Sequence, residues 1–370
     1  MYRMNLLNKC IVIGLKGLPA YGGAATVGEN LIKALQSAYQ FKVTGVSSHT
    51  KKECLLVEGI SQVVFKNHGT GAVNTLIYYF KSLFYGLFHR FDFVHLHHAE
   101  SGFITPFLRL KYKVIVTFHG VYNYKDPKFS DVQNWFFRLS ERLNVFFANE
   151  VVSVSQPDIF YIEKKYGRKA HYIPNGITIS SESISILSKK NPQDYILFAA
   201  GRIYDIKGLH LLLEAMKLSG NTTLIKIAGD LTQVQSYKKK IESMLNGLNI
   251  EFLGLIKDKT TLMQLVADAK LFVFPSLTEA MSMMLLEVVS MKTPVIASDI
   301  PSNKAVFAED EILFFKSNDS DDLKQKLEFA INNPEIMFRN AHNAYKKLSE
   351  NYTWDVISKQ YGILYHKLLN

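Results

Sequence analysis

The chain has 370 residues, 48% of them hydrophobic and 21% charged, with a formal net charge of +10. This composition is typical of a folded globular protein and excludes a disordered chain, and the length predicts two domains. Two cysteines, Cys10 and Cys54, are too few for a disulfide framework and suit a reducing compartment. The apolar run before Lys16 is too short for a secretory signal, and no stretch has the ~18 apolar residues of a membrane span. We therefore expect a cytoplasmic protein, with attachment at the inner face of the plasma membrane left open.

The first half of the chain alternates short apolar runs with helical stretches. Several of the runs lack polar alternation, as parallel strands covered on both faces do. The helical stretches are 26–38, 73–89 and 131–149, and Asp131 is the predicted N-cap of the last. The predicted strands are 10–15, 42–48, 62–66, 93–98, 113–120 and 151–155.

The second half repeats this scheme after a polar, turn-rich linker at 171–194. Two such series predict an α/β protein with two doubly wound, Rossmann-like domains that face each other. The domains are expected at 1–180 and 190–352. The predicted strands of the second are 195–201, 224–229, 250–256, 271–276, 294–298 and 312–315.

A glycine-rich loop follows the first predicted strand, with the sequence GLKGLPAYGGAAT at 14–26. Gly22 and Gly23 would let the backbone approach a ligand, and the helix that follows would attract an anion at its N-terminus. The end of the second strand has no acidic residue for a ribose, which weakens a dinucleotide interpretation. An ordinary turn before a helix is the alternative.

A histidine ends a strand in the sequence TFHG at 117–120. Ligands bind at the carboxyl ends of strands in open α/β sheets, so His119 is a candidate site residue. A lone histidine is more often structural, and we interpret the neighbouring His97 and His98 in that way.

Two cations follow a strand of the second domain in GRIYDIKG at 201–208. Arg202 offers a planar fork of donors and Lys207 a mobile point charge, which together suit a diphosphate. The spacing is not that of an ATPase P-loop. Two unrelated surface cations are the alternative.

Two carboxylates, Glu279 and Glu287, lie in the otherwise apolar stretch PSLTEAMSMMLLE. Glu279 is predicted in the loop at the start of a helix, and Glu287 about two turns further on, on the helix body. Eight residues at 100° each would leave them about 80° apart around the helix axis, so both could face one cleft. Ionised carboxylates accept hydrogen bonds, and sugar hydroxyls are natural partners for them. A capping glutamate and an unrelated helix glutamate are the alternative.

Together these segments resemble the retaining GT-B glycosyltransferases of family GT4, also called glycosyltransferase group 1, of the polysaccharide and lipopolysaccharide type. The resemblance is carried by Glu-x7-Glu at 279–287, by GRIYDIKG, by IPNGI at 173–177 and by YTWDVISKQYGILYHKLL at 352–369. It implies an interdomain cleft and a C-terminal helix, 353–370, that crosses back onto the N-terminal domain.

The resemblance also implies roles for single residues. Arg202 and Lys207 would neutralise the diphosphate of a nucleotide-sugar donor, and Glu287 would bind its ribose. Glu279 would hold the transferred sugar, beside the backbone amides of Met281, Ser282 and Met283. His119 would contact that sugar from the N-terminal domain, and Gly22 and Gly23 would approach the diphosphate.

No cofactor and no metal are expected, because Arg202 and Lys207 would supply the positive charge. Asp319-Ser320-Asp321 is interpreted as a helix cap. A nucleotide-sugar epimerase and a non-enzymatic two-domain sugar-binding protein are the alternatives to a transferase, and a nicotinamide dehydrogenase is a rival with the same sheet.

The basic residues are unevenly distributed, with 21 Lys and Arg against 12 Asp and Glu in residues 1–185. This surplus is either an ordinary solvated surface or a face for an anionic membrane or substrate. Nucleic acid is not an expected partner, because no nucleic-acid-binding motif is present. The resemblance implies a glycan or lipid-linked acceptor. The segment 75–91 is the candidate membrane contact, with a buried helix as the alternative.

Overall fold

The computed structural model describes residues 7–20, 22–48, 56–67, 71–121 and 130–370. It divides into two compact units, the first formed by Met1–Gly176 with Trp354–Asn370 and the second by Ile177–Thr353. Cys10 is a buried free thiol, whereas Cys54 and residues 1–6 lie outside the described residues.

Unit 1 contains an eight-stranded sheet in the order β3-β4-β2-β1-β5-β6-β7-β8. Its strand pairs are parallel except for β3 with β4. The strands are β1 Asn8–Ile13, β2 Tyr39–Val46, β3 Leu56–Val57, β4 Ile60–Phe65, β5 Phe93–His97, β6 Lys113–Phe118, β7 Glu150–Ser153 and β8 His171–Tyr172.

Unit 2 contains a six-stranded, fully parallel sheet in the order β11-β10-β9-β12-β13-β14. The chain order reverses between β9 and β12, which makes this the switch point of the sheet, where ligands of such folds bind. The strands are β9 Gln193–Arg202, β10 Leu224–Asp230, β11 Ile250–Gly254, β12 Ala269–Phe274, β13 Val295–Ser298 and β14 Leu313–Phe315.

Helices cover the faces of both sheets, so the central strands are buried and read as continuous apolar runs. Two short 3-10 helices span Ala99–Phe103 and Asp205–Lys207. The α-helices are α1 Gly23–Leu35, α2 Gly71–Phe88, α3 Thr105–Arg109, α4 Asp131–Phe147, α5 Gln156–Tyr166, α6 Ser181–Ser188, α7 Leu209–Ser219, α8 Gln235–Glu242, α9 Lys259–Asp268, α10 Met283–Ser290, α11 Pro301–Lys304, α12 Ser320–Asn332, α13 Pro334–Asn351 and α14 Trp354–Leu369.

Two doubly wound α/β domains were predicted, and this fold class is confirmed. The prediction that 171–194 is a linker is wrong in detail, because this segment contains β8, α6 and the start of β9. The short helix α6 begins after the cap Ser180, whose hydroxyl accepts from the Ser183 amide.

One of the two predicted helix caps is wrong and one is confirmed. The N-cap of α4 is Ser130 rather than Asp131, because the Ser130 hydroxyl and the Gln133 side chain each bind the other's backbone amide in a capping box. Asp131 lies one residue later, in the first turn. Asp319 caps α12 by accepting from the amide of Asp322, as predicted.

The last helix, α14, packs against α1 and belongs to unit 1, in agreement with the predicted return of the C-terminal helix. Two tyrosines one turn apart bind polar side chains of the sheet. The Tyr365 hydroxyl lies 2.6 Å from His95 Nδ1, and the Tyr361 hydroxyl lies 3.2 Å from Thr117 Oγ1. His95 Nε2 is in turn 2.8 Å from Thr117 Oγ1, so these buried polar groups satisfy one another.

Candidate functional site

The predicted cations of unit 2 lie at the carboxyl end of its central strand. Arg202 is the last residue of β9, and Lys207 ends the 3-10 turn that follows. Lys207 Nζ donates to Glu279 Oε1 at 2.5 Å, although 72 positions separate the two residues. Their side chains are 21% and 14% exposed, so this is a largely enclosed ion pair. The structure thus brings Lys207 and Glu279 together at the edge to which Arg202 also belongs.

Backbone contacts hold the two loops of this ion pair in register. The amide of Leu277 donates to the Ile206 carbonyl at 2.8 Å, which joins the loop after β12 to the loop after β9. Gly208 has φ +69°, and a Cβ there would lie 2.0 Å from the Pro275 carbonyl oxygen. Glycine is therefore required at 208 both by its dihedral angle and by the close approach of the two loops.

Glu279 lies in the loop before the helix and Glu287 on the helix body, as predicted, but the helical angle predicted between them is wrong. The helix α10 begins at Met283, after the cap Ser282, so Glu279 lies in the preceding loop and no helical angle connects the two carboxylates. Glu287 lies on the body of α10 with its side chain 16% exposed, and its Oε2 is 2.5 Å from Lys259 Nζ. Each glutamate therefore has its own lysine.

Lys259 is a residue that sequence reasoning missed. It is the first residue of α9, whose N-cap Asp258 accepts from the Thr261 amide, and this cap places the lysine beside α10. Its sequence context, KDKT, resembles any charged helix start. The pairing follows only from the packing of α9 against α10.

The first turn of α10 begins four residues after Glu279, at Met283. The Ser282 hydroxyl accepts from the Leu285 amide, which satisfies one donor of the first turn. Helix geometry leaves the amides of the first positions, including Met283, without an acceptor inside the helix. Met281 is buried and Ser282 is half-buried. This arrangement suits an anionic or hydroxyl-rich ligand.

A pocket of about 490 Å³ opens at the carboxyl ends of β10 and β11 and was not predicted. Asp230, one of its lining residues, is the register partner of Arg202 on the adjacent strand. Hydrogen bonds from Thr232 and Gln233 hold the pKa of Asp230 below its ordinary value. Apolar side chains, Leu231, Leu245, Phe252 and Leu255, form much of the remaining wall.

In unit 1 the glycine loop is open on its outer side. Gly22 has φ +100° and precedes α1, which Gly23 begins, and a Cβ at either position would meet nothing within 4 Å among the described atoms. Glu29 of α1, which sequence reasoning missed, accepts from the Ala20 amide at 2.6 Å and fixes the loop to the helix. The open backbone face is compatible with a ligand contact.

The histidines of unit 1 form a contact group at the ends of β5 and β6, in which the His97 and His119 rings meet edge to edge. His119 Nε2 lies 2.9 Å from His97 Nδ1, with the rings 12° from parallel, and the His98 ring packs on His119. His97, predicted to be structural, therefore directly contacts the predicted site residue. Burial lowers the pKa of both His97 and His119 well below the ordinary value. Because Gly22, Gly23 and His119 belong to unit 1 and the other predicted residues to unit 2, one shared site stays a prediction.

Two features are absent from the described parts of the chain. Within them, no helix has both the length and the apolar character needed to cross a bilayer. Nor do they contain a group of three or more His, Cys, Asp or Glu side chains arranged to hold a metal ion.

Two family models match most of the chain. Residues 181–349 match glycosyl transferases group 1, and residues 21–181 match glycosyltransferase family 4. Among curated proteins, the O-antigen chain mannosyltransferase C of Escherichia coli is 29% identical over 218 residues, 56% of this chain and 57% of that protein. The processive diacylglycerol alpha-glucosyltransferase of Acholeplasma laidlawii is 26% identical over 230 residues, 57% of this chain and 67% of that protein. The chain thus spans little more than half the length of the first relative.

Solved structures share the fold over nearly the whole chain. Sucrose-phosphate synthase from Thermosynechococcus elongatus matches with a TM-score of 0.82 at 18% identity, covering 98% of this chain and 99% of that one. HepE from Anabaena, in complex with UDP and glucose, matches with a TM-score of 0.77 at 19% identity, covering 97% and 100%. At these identities the likeness concerns the fold alone.

Proposed function

The chain belongs to the group 1 glycosyltransferases of family 4, and we propose from this that it moves a sugar from a nucleotide-diphosphate donor to a hydroxyl of a glycan or lipid-linked acceptor. The observation that carries the proposal is the largely enclosed ion pair between Lys207 and Glu279. It lies at the carboxyl end of β9, the strand whose last residue is Arg202. We place the reaction in the synthesis of a bacterial surface polysaccharide, in line with the O-antigen relative. Family membership favours transfer over the epimerase and sugar-binding alternatives.

In this proposal unit 2 holds the donor. Arg202 and Lys207 face the diphosphate, and Glu279 accepts hydrogen bonds from hydroxyls of the transferred sugar. An ammonium group has three donors, so Lys207 can keep its bond to Glu279 while it binds a phosphate oxygen. That link would hold the two ends of the breaking bond in a fixed relation. The amides of Met281, Ser282 and Met283 are further donors to the same ligand.

Glu287 binds the ribose hydroxyls in the proposal, with Lys259 holding its second oxygen. A carboxylate has about four lone-pair sites, so the observed bond to Lys259 leaves acceptors for a ribose diol. The pocket beside Asp230 would take the base, because its apolar walls suit the faces of a flat ring and it adjoins Arg202 through Asp230.

The chemistry we propose is retaining and needs no metal. Breaking the sugar–phosphate bond leaves a positive, oxocarbenium-like sugar and a diphosphate with added negative charge. Fixed cations at Arg202 and Lys207 stabilise that diphosphate, and an electrostatic donor of this kind is typically worth ~10²–10³ in rate. A phosphate oxygen accepts the proton of the attacking hydroxyl on the same face, so the glutamates are not an acid–base pair of the glycosidase type. From unit 1, His119 contacts the sugar, and Gly22 and Gly23 approach the diphosphate.

We further propose a cytoplasmic protein whose unit 1 contacts an anionic membrane at its inner face. The segment 75–91, for which a membrane contact and a buried helix were both considered, has one face in the core and one exposed. The exposed face joins the neighbouring helices through ring contacts of Phe103 with Phe80 and Phe136, at 5.3 and 5.5 Å. The exposed apolar side chains of these segments include Val73, Phe80, Phe84, Phe88, Phe107, Leu110, Val132, Trp135 and Leu139, and we propose that they form one apolar face.

Charge supports an anionic lipid surface as the occupant of this apolar face. Arg109 of α3 and Arg138 and Arg142 of α4 are exposed on the same helices. Aromatic side chains with flanking arginines are typical of surfaces that lie on anionic bilayers. A lipid-linked acceptor would then reach the protein from the membrane plane.

A panel of UDP-, GDP-, dTDP- and ADP-sugars tests the proposed function. A bound donor raises the midpoint of thermal unfolding by mass action, so the matching nucleotide sugar should raise it in the wild type. The same donor should stabilise Glu287→Ala much less. The matched control is Lys347→Ala on α13, which removes an ion pair with Glu311. The side chains of Lys347 and Glu311 are 33% and 12% exposed. If no nucleotide sugar or nucleoside diphosphate shifts the midpoint, the proposed function is wrong.

A further inference from the structure

The contact between His97 and His119 joins the ends of adjacent strands β5 and β6. His97 is the last residue of β5 and is only 1% exposed, whereas His119 follows β6 and is half-buried. The 2.9 Å separation of His97 Nδ1 from His119 Nε2 is a hydrogen-bond distance. One nitrogen of this pair must carry the proton and the other must offer a lone pair.

This pairing ties the protonation states of the two rings together. Burial lowers the pKa of both, so both rings are neutral and each carries a single proton. In a neutral imidazole one nitrogen donates and the other accepts. If His97 Nδ1 carries its proton, then His119 carries its own on Nδ1. If His119 Nε2 carries the proton instead, that of His97 must lie on Nε2.

The two arrangements differ in where an unused N–H is left. The other nitrogens, His97 Nε2 and His119 Nδ1, are buried and have no hydrogen-bond partner among the described residues. One arrangement leaves an N–H at His97 Nε2, inside the sheet, where a ligand has no access. The other leaves it at His119 Nδ1, at the strand end where ligands bind. A buried N–H without an acceptor is costly, and His119 is half-buried whereas His97 is only 1% exposed, so the second arrangement is the more stable one in the free protein and is stabilised further by a ligand oxygen.

The neighbouring side chains do not take over the role of His97. His95 lies with its ring centroid 4.2 Å from that of His97, but both of its nitrogens are engaged, by Tyr365 and Thr117. The ring centroids of His98 and His119 are 5.3 Å apart, and no hydrogen bond joins these two side chains among the described residues. Among the described residues, His97 is therefore the group that sets the proton position on His119.

We propose that His97 is a positioning residue that holds His119 in the neutral tautomer protonated at Nδ1, so that His119 donates a hydrogen bond to an oxygen of the donor substrate. This inference rests on the proposed function. It makes His119 a fixed donor rather than a general base. The oxygen it binds belongs to a hydroxyl of the transferred sugar or to the leaving diphosphate.

The tautomer can be measured without any substrate. We suggest long-range proton–nitrogen correlation spectra of the full chain labelled with ¹⁵N at histidine, with the His119 signals assigned by their loss in His119→Gln. We expect the N–H shift at Nδ1 and the lone-pair shift at Nε2 in the wild type. A proton at Nε2 of His119, or a doubly protonated ring at neutral pH, overturns the inference whatever the catalytic activity.

Variants at 97 separate positioning from packing. His97→Leu removes the donor, so His119 should become a mixture of tautomers and kcat should fall about tenfold, with little change in KM. His97→Asn places an amide where Nδ1 was, so it should restore the Nδ1 tautomer and most of kcat. Tyr361→Phe is the matched control, because it removes a buried hydroxyl from the same layer without touching His97 or His119.

The kinetic arm uses release of nucleoside diphosphate from the donor that the thermal panel identifies. Equal kcat values for His97→Leu and Tyr361→Phe, with the His119 tautomer unchanged, contradict the inference while the proposed function stands. If no donor is found, the proposed function fails, and the spectra of the wild type still decide the tautomer. The same spectra decide it if His97→Leu does not fold.

Discussion

Replacing Lys207 by alanine separates its two proposed tasks, which are to hold Glu279 and to bind the diphosphate. In the folded protein the change leaves the Glu279 carboxylate, 14% exposed, without the ammonium group 2.5 Å away. An exposed ion pair contributes about 0–1 kcal/mol, and breaking a fully buried one costs about 3–5 kcal/mol. This pair lies between the limits, so we expect Lys207→Ala to lower the free energy of unfolding by about 1–2 kcal/mol, with the fold intact.

A loss of that size corresponds to a fall of several degrees in the unfolding midpoint of a unit of this length. The control Lys347→Ala, which breaks the enclosed pair with Glu311, should show a similar fall. Turnover should distinguish them. Lys207→Ala should release nucleoside diphosphate ~10²-fold more slowly or worse, because the leaving group loses a fixed cation, whereas Lys347→Ala should keep near-normal turnover.

The double variant Lys207→Ala with Glu279→Gln completes the cycle. If Lys207 only positions Glu279, its removal has no further effect once the carboxylate is an amide. If it contacts the diphosphate, turnover drops ~10²-fold in the Glu279→Gln background as well. Full turnover in Lys207→Ala, or the absence of any effect in the Glu279→Gln background, would refute the leaving-group role.

Four other changes have measurable outcomes. Gly208→Ala should destabilise unit 2 by ~3 kcal/mol or more in denaturant titrations, because its Cβ would lie 2.0 Å from a carbonyl oxygen at a positive φ, and a normal midpoint would contradict this. Glu287→Ala should weaken donor binding by ~1–3 kcal/mol in calorimetry through lost charged hydrogen bonds, and unchanged affinity would exclude the ribose contact. Burial lowers the pKa of His95 to about 3, so in the pH range between 3 and ~6.5 the folded state binds fewer protons at this ring than the unfolded state. The free energy of unfolding should therefore fall by ~1.4 kcal/mol for each pH unit as the pH is lowered from ~6.5 toward 3. Unfolding titrations from pH 7 to 5 should show that slope diminished in His95→Gln, and equal slopes would show that this ring does not contribute. In flotation with anionic vesicles at low salt, Phe84→Ser with Phe88→Ser should reduce binding, whereas Ile363→Ser, another exposed apolar residue of unit 1, should not; no binding by the wild type would end the membrane proposal.

The periodicity of the sequence predicted the architecture well, because parallel strands covered on both faces are uninterrupted apolar runs. The strands β1, β5, β6 and β12 were each predicted within a few residues of their bounds. The short strands β3 and β8, of two residues each, carry too little pattern to be recognised. The cap of α4 was placed one residue late, because Ser130 and Asp131 are both good N-cap residues and only the reciprocal bond with Gln133 decides between them.

The site was predictable where chemistry follows directly from residue type and strand position. Arg202, Lys207 and Glu279 could be proposed together because strand ends of a parallel sheet meet at one edge. The Lys259–Glu287 pair and the pocket beside Asp230 depend on how α9 and β11 pack, which no local pattern encodes. The helical angle between Glu279 and Glu287 failed for a local reason, since the loop up to Ser282 is not helical.

The first unit is assembled from two distant pieces of chain, and this has a consequence for how the protein is made. Every described strand of its sheet has been translated by residue 176, yet the tyrosines that bind His95 and Thr117 arrive only after the 177 residues of Ile177–Thr353 have been synthesised. Until then a layer of imidazole and hydroxyl groups in the nascent sheet has no cover. A chain whose synthesis stops inside Ile177–Thr353 would therefore lack α14, and its unit 1 would be incomplete. A premature stop codon late in the message would thus damage a domain whose strands were translated much earlier.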